Sequence, residues 1–115
     1  MTATQFDPDA VAVVTGASSG IGRACAVRLA ASGARVVVGY NANADAAQEV
    51  VESLAGSGHA ALRISNGAAE SVNAAAREIG DRFGRVDALV NNGGFTRPLP
   101  LDDLDGLTDE LFDDV

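Results

Sequence analysis

Short apolar runs alternate along the chain with longer segments in which apolar residues recur every three or four positions. The short runs are rich in Val and are bounded by turn residues, which predicts strands that are buried on both faces. The longer segments have the period of an amphipathic helix. We predict strands at residues 11–14, 35–38, 60–64 and 86–90, and helices at 21–32, from Asn43 or Asp45 to Leu54, and from Val72 to Phe83.

The order of these elements, β-α-β-α-β-α-β, predicts a fold of the α/β class. Strands that alternate with helices form a parallel sheet with right-handed crossovers. At 115 residues, the chain is long enough for one small domain. After a loop from 91 to 100, residues 101–115 hold seven of the sixteen acidic residues and no Arg. We expect an acidic tail there, in which Thr108 caps a last helix.

The first predicted helix has Ile21, Cys25 and Leu29 at helical spacing, so we expect these residues to face the core and Gly33 to follow the last turn. Cys25 is the only Cys of the chain. It cannot form an internal disulfide, which fits a reducing compartment. Because the one His, His59, lies in a different segment, we interpret Cys25 as a small buried residue. We predict no metal site.

The chain is acidic, with 8 Arg against 16 Asp and Glu, no Lys and a net charge of −8. Such a charge repels the phosphates of nucleic acids and the surface of an anionic membrane. Residues 1–10 lack the basic and apolar run of a signal peptide, and no stretch approaches the about 20 apolar residues of a membrane span. We therefore predict a cytoplasmic protein that binds neither nucleic acid nor membranes.

A glycine-rich turn, with Gly16, Gly20 and Gly22, lies where the first strand meets the first helix. Glycines there allow a tight turn, the close approach of a pyrophosphate, and close packing of the helix on the strand. The helix N-terminus offers unpaired N–H groups and a positive dipole end to phosphates, and Ser18 and Ser19 add hydroxyl donors. Any strand-to-helix turn favours glycine, but a position in the first βαβ unit favours phosphate binding.

Two motifs point to a known family. Residues Thr15 to Gly22 read Thr-Gly-x-x-x-Gly-x-Gly, and Asn91-Asn92-Gly93-Gly94 follows the fourth predicted strand. Both resemble motifs of the classical short-chain dehydrogenase/reductase family, with Gly93 in the place of an Ala. The resemblance implies a Rossmann-like, doubly wound parallel sheet, truncated here after about the fourth strand. It also implies NAD(P)-dependent transfer of a hydride between nicotinamide and an alcohol or carbonyl.

The resemblance places a cofactor against the glycine turn and the carboxyl ends of the strands. Tyr40 and Asn41 take the position at which an acid favours NAD and a base favours NADP. Neither is acidic or basic, and the missing acid favours NADP over NAD. Ser65 or Asn66 replaces the Asp that contacts adenine in the family. For Asn91, a structural role and direct contact with the cofactor both stay open. The predicted cofactor-binding residues are Gly16, Ser18, Ser19, Gly20, Ile21, Gly22, Tyr40, Asn41, Ser65, Asn66, Asn91 and Gly93.

Members of this family act through a Ser, a Tyr and a Lys, in which the Lys lowers the pKa of the Tyr. The chain has no Lys, and its one Tyr, Tyr40, lies at the wrong end of the expected site, so we predict no catalytic residue in these 115 residues. The alternatives to an oxidoreductase are a non-catalytic nucleotide-binding module and a fragment that associates with itself. Because the fourth strand would form an open edge, we expect a homo-oligomer or a partner that supplies the missing half.

Overall fold

A parallel sheet lies at the centre of the computed structural model, which describes residues 6–65 and 69–92. The elements are β1 (Val11–Val14), α1 (Gly20–Ala31), β2 (Arg35–Tyr40), α2 (Ala44–Ser53), β3 (Ala60–Arg63), α3 (Ala69–Arg82) and β4 (Ala88–Val90). The strands are all parallel and pair in the order β3-β2-β1-β4. The predicted α/β class and parallel sheet are confirmed. The predicted acidic tail at 101–115 and most of the predicted loop from 91 to 100 lie outside the described residues.

Helices cover both faces of the sheet, because side chains along the central strands alternate between two apolar clusters. Val36 and Val38 pack with residues of α1 and α2, whereas Val37, between them, packs with residues of α3. All three are fully buried, as expected of a strand that is covered on both faces. Burial of such a side chain stabilises the fold by about 1.5–3 kcal/mol. The central strands are therefore held firmly in place, and so are the loops that follow their carboxyl ends.

The buried face of α1 differs from the predicted one. Its buried residues are Gly22, Ala26 and Ala30, one position after the predicted stripe. Ile21 is 76% exposed, and Cys25, predicted to be buried, is only partly so. Cys25 and Leu29 are partly buried against the same cluster, so the prediction holds in part for them and fails for Ile21, because α1 turns its smallest residues towards the sheet and approaches it closely.

An apolar groove lies beside β4, where α3 leaves part of the described sheet uncovered. It has a volume of about 480 Å³, and Val72, Val86 and Leu89 are among the residues that line it. Leu89 is 65% exposed and Val86 is 52% exposed. β4 is also the edge strand of the described sheet, so the apolar surface and the open edge coincide.

Gly22 lies where α1 crosses the turn that follows β1. A side chain at this position would overlap the carbonyl group of Gly16, and its Cβ would lie 2.6 Å from Nδ2 of Asn92. The helix reaches this position only because Gly22 has no side chain. The close approach therefore determines where the N-terminus of α1 lies relative to the end of β1.

Asp87 joins the beginning of β1 to the residues just before β4. Its carboxylate accepts a hydrogen bond from the N–H of Val11 at 2.8 Å and two from the guanidinium of Arg85 at 2.9 and 2.6 Å. The bond from Arg85 foremost, and then that from Val11, hold the pKa of the Asp87 carboxyl below its usual value. The predicted strand at 86–90 was too long, because this carboxylate takes the N–H that a longer β4 would pair with its main chain.

Replacing Gly22 by Ala is expected to destabilise the fold by about 1–3 kcal/mol, because the added methyl group has no space. The matched control is Gly80→Ala in α3, where a Cβ would meet no atom within 4 Å. The control is expected to stabilise the fold by about 0.5–1 kcal/mol, the difference in helix propensity between Gly and Ala. Urea denaturation measures both free energies of unfolding. A change of the same sign in both variants would contradict the close contact at Gly22.

Asp87→Asn is expected to lower the melting temperature at and above about pH 5, where the wild-type carboxylate is ionised in the folded and the unfolded chain. Because the pKa is lower in the folded state, this stabilisation is lost as the pH falls through that pKa, and the two melting temperatures converge below about pH 4. Thermal unfolding followed by circular dichroism measures the difference. Glu78→Gln, which removes an exposed pair with Arg82, is the control and should shift the melting temperature less. A difference between wild type and Asp87→Asn that does not vary with pH would rule out this role of the carboxylate.

Candidate functional site

A polar cleft lies at the carboxyl ends of β1 and β2, beside the first turn of α1. It has a volume of about 470 Å³. The glycine turn forms one wall, the segment after β2 forms the other, and a residue that follows β4 completes it. The lining residues are Gly16, Ser18, Ser19, Gly20, Ile21, Asn41, Ala42, Asn43 and Asn92. The first six of these were predicted from the sequence, so the fold brings half of the predicted set together in one place.

The glycine turn has two residues in the left-handed conformation. The backbone angle φ is 61° at Gly16 and 60° at Gly20, values that residues with a Cβ rarely adopt. The space beside Gly20 is open, since a Cβ there would meet no atom within 4 Å. Gly22, which was also predicted to bind the cofactor, lies behind the turn and does not line the cleft. The turn thus combines a defined backbone with room for a ligand to approach it.

Among the residues that the structure describes, no side chain caps the N-terminus of α1. Ser19 occupies the N-cap position but makes no capping hydrogen bond, and the first turn contains no acidic residue. In α2, by contrast, the side chain of Asn43 accepts a hydrogen bond from the N–H of Ala46 at 3.0 Å, and Asp45 lies in the first turn. The sequence left Asn43 and Asp45 as candidate caps of this helix, and the structure identifies Asn43 as the N-cap. Because unpaired N–H groups and the helix dipole attract anions, the end of α1 is the one that suits a phosphate.

Asn92 holds the glycine turn against the end of β4. Its side-chain Nδ2 donates to the carbonyl of Gly16 at 3.1 Å, and its N–H donates to Oγ1 of the buried Thr15 at 2.9 Å. Asn91 makes a longer contact, 3.4 Å between its Oδ1 and Oγ1 of Thr15, and does not line the cleft. Asn92 is thus a site residue that the prediction omitted, although it belongs to the same motif as Asn91.

Tyr40 and Ser65 do not line the cleft. Tyr40 is partly buried against the apolar cluster between the sheet, α1 and α2. The N–H of Ser65 donates to Oγ of Ser71 at 2.9 Å, which ties the segment after β3 to α3. Asn66 and Gly93, which were also predicted to bind the cofactor, lie outside the described residues.

Arg63 is a basic residue beside the cleft that the local sequence pattern did not reveal. β2 and β3 pair with Tyr40 opposite Arg63, and the Nε–H of Arg63 donates to the carbonyl of Asn41 at 3.0 Å. The prediction found no base near Asn41 because the two residues are 22 positions apart in the chain. Arg63 lies next to Asn41 because the register of β2 and β3 places Arg63 opposite Tyr40.

Metal ligands and membrane spans were searched for in residues 6–65 and 69–92. Over these residues, no group of three or more His, Cys, Asp or Glu is arranged to hold a metal ion. None of the helices described there is long and apolar enough to cross a membrane.

Comparison with known proteins gives a family and several relatives. A family model described as short chain dehydrogenase matches residues 10–115. The chain is 44% identical over 89 residues to a 3-oxoacyl-[acyl-carrier-protein] reductase of Synechocystis sp., an alignment that covers 76% of this chain and 36% of that protein. It is 37% identical over 103 residues to a short-chain dehydrogenase/reductase homolog of Bacillus subtilis, covering 88% of this chain and 94% of that protein.

A solved structure gives the same family. The crystal structure of a dehydrogenase/reductase from Sinorhizobium meliloti superposes with a TM-score of 0.78 and 42% identity, over 90% of this chain and 41% of that chain. The chain therefore spans less than half of that protein and of the Synechocystis reductase. The family match agrees with the glycine turn and with the strand order, and the chain belongs to the short-chain dehydrogenase family.

Proposed function

We propose that residues 1–115 form one nucleotide-binding domain of an oxidoreductase, in which NADP or NAD exchanges a hydride with an alcohol or carbonyl compound. The observation that carries the proposal is the uncapped N-terminus of α1, which faces open space beside Gly20. The name of the Synechocystis relative, a reductase, supports the reaction class. The bound nicotinamide would supply the hydride, and the residues of the cleft would bind and orient the rest of the cofactor.

The glycine turn suits the pyrophosphate. Its main chain is open to a ligand at Gly20, and the N–H groups of the first turn of α1 have no side-chain cap. Ser18 and Ser19 line the same wall, where their hydroxyl groups can donate to phosphate oxygens. Ile21 is 76% exposed at the cleft, so its apolar side chain gains a neighbour when a ligand binds. We assign the pyrophosphate to this wall.

The adenosine half would lie across the ends of the next strands. The side chain of Asn41 can hydrogen-bond the ribose hydroxyls, and the absence of an acid at Tyr40 and Asn41 favours NADP over NAD. We retain Ser65 and Asn66, which follow β3, as the proposed contacts to adenine. Asn91 is proposed to line the adenosine side of the cofactor site, and Gly93, from the same motif, is retained as a proposed cofactor contact.

A second candidate is a nucleotide-binding module without catalysis. It is favoured by the composition, since the 115 residues contain no Lys and one Tyr. That residue, Tyr40, is packed against the core beside α1 and α2, so it is poorly placed as a proton donor. A fragment that only associates with itself is the third candidate, and measured cofactor binding separates it from the other two.

The groove beside β4 is the surface on which we propose association. Leu89 and Val86 are each more than half exposed there, and an uncovered apolar patch next to an edge strand favours contact with another chain. The other chain would be a second copy or a partner that supplies further strands.

We also propose a cytoplasmic location, from the single Cys, and no nucleic acid partner, from the net charge of −8.

Gly20→Val is expected to abolish the binding of ADP, NAD and NADP, because a branched side chain fills the space through which the pyrophosphate reaches the main chain. The matched control is Gly84→Val. Gly84 has a φ of 77°, and its Cβ would also meet no atom within 4 Å, so the two substitutions impose similar backbone strain. Gly20 lines the cleft, whereas Gly84 lies just after α3.

Isothermal titration calorimetry distinguishes the outcomes of this pair. ADP is expected to bind the wild type nearly as well as NAD, which like ADP has no 2′-phosphate, since the contacts assigned to NAD reach only the pyrophosphate and the adenosine. Equal binding by wild type and Gly20→Val would mean that the turn has a structural role alone. Loss of binding in Gly84→Val as well would attribute the effect to the fold and not to the cleft.

The purified 115-residue chain is expected to show no dehydrogenase or reductase turnover with either nicotinamide cofactor, because no Tyr and Lys pair is present for proton transfer. Nicotinamide absorbance, followed with a panel of alcohols and ketones, measures the rate. A mock purification from cells without the protein is the control. Steady turnover above that control by a homogeneous sample would exclude the second candidate.

A further inference from the structure

Arg63 lies at the carboxyl end of β3 and is bonded to Asn41, a residue that lines the cleft, although Arg63 itself is not one of the lining residues. In the parallel register of β2 and β3, Arg63 is opposite Tyr40, the residue that precedes Asn41. Its Nε–H donates to the carbonyl of Asn41 at 3.0 Å. This bond anchors the guanidinium next to a residue that lines the cleft, while the side chain itself stays exposed.

The terminal nitrogens of this guanidinium are available to a ligand. Within residues 6–65 and 69–92, the ion pairs join Arg82 to Glu78 and Arg85 to Asp87, and the hydrogen bond that Arg63 makes uses Nε. An Arg carries five N–H donors in a planar fork that matches the geometry of a phosphate. With respect to residues 6–65 and 69–92, four donors of Arg63 therefore remain for an anion.

Arg63 differs from two other basic residues in the end of the sheet at which it lies. Arg35 donates to the carbonyl of Asp9 at 2.7 Å, before β1, and Arg85 is paired with Asp87 before β4. Both lie at the amino ends of the strands, opposite the cleft. In a chain with a net charge of −8, an anionic ligand benefits from a cation at the site, and Arg63 is bonded to the residue where the ribose is expected.

We propose that Arg63 selects NADP over NAD by binding the 2′-phosphate of the adenosine ribose, an inference that rests on the nucleotide-binding function proposed above. In dinucleotide sites of this fold, the ribose lies near the end of the second strand, where an acid excludes the 2′-phosphate and a base accepts it. Here that position holds the uncharged Asn41. The base reaches it from the third strand, through the pairing of β3 with β2.

NAD and NADP differ only by the 2′-phosphate, so their two dissociation constants form the test. Calorimetry on the 115-residue chain is expected to show a preference for NADP in the wild type. Arg63→Gln should weaken NADP binding by roughly tenfold or more and leave NAD binding within about twofold, since it removes charge-assisted hydrogen bonds to one group. Arg63→Lys keeps the charge without the fork and should fall between the two. Arg77→Gln, at an exposed position in α3, is the control and should change neither constant.

The outcomes separate this proposal from the one on which it rests. A preference for NADP that Arg63→Gln leaves unchanged overturns the role of Arg63 while nucleotide binding stands. Equal weakening of NAD and NADP also overturns it, because Arg63 would then act by holding Asn41 in position. If the wild type binds neither cofactor, the nucleotide-binding function fails and the selectivity fails with it. Thermal unfolding of each variant shows that the compared proteins are folded.

Discussion

The cleft depends on the contact of Gly22 with Gly16 and Asn92. A side chain at Gly22 has no space, so α1 lies as close to the end of β1 as two main chains allow. Asn92 closes the contact from β4 by donating to the carbonyl of Gly16 at 3.1 Å. The turn after β1 and the start of α1 therefore meet a residue that is 76 positions away from Gly16 in the chain. That meeting determines where the N-terminus of α1 lies at the cleft.

The two ends of the sheet use their hydrogen-bonding groups differently. At the amino end, the carboxylate of Asp87 is satisfied by Val11 and Arg85 within the protein. At the carboxyl end, Ser19 leaves α1 without a side-chain cap, while Asn43 caps α2. An N-cap contributes about 1 kcal/mol to a helix. The first turn of α1 lacks the side-chain cap that α2 has, and it is the helix end at which we propose that an anion binds.

Local sequence patterns predicted the strands and helices. The features that they did not predict depend on contacts between segments that are distant in the sequence. The strands and helices were predictable because their apolar periodicity lies within each segment, and the glycine turn was predictable because its residues are consecutive. The buried face of α1 was not, since Gly22 and Ala26 have little hydrophobic character and are buried by the approach of the helix to the sheet. Arg63 was missed for a related reason, because it reaches the cleft through the pairing of β3 with β2. Asn92 lies in the motif that the sequence revealed, but its side-chain bond to Gly16 is a contact between distant segments.

The orientation of Arg63 shows how core packing controls the chemistry of the cleft. Leu62 and Ile64, its neighbours in sequence, are buried in the cluster that includes residues of α3. A shift of β3 by one residue would exchange the two faces of the strand, so Arg63 would point into that cluster and an apolar side chain would lie beside Asn41. Burial of Leu62 and Ile64 makes that register costly, by about 1.5–3 kcal/mol for each side chain exposed. The position of a charge at the site is therefore held by apolar residues on the opposite face of the same strand.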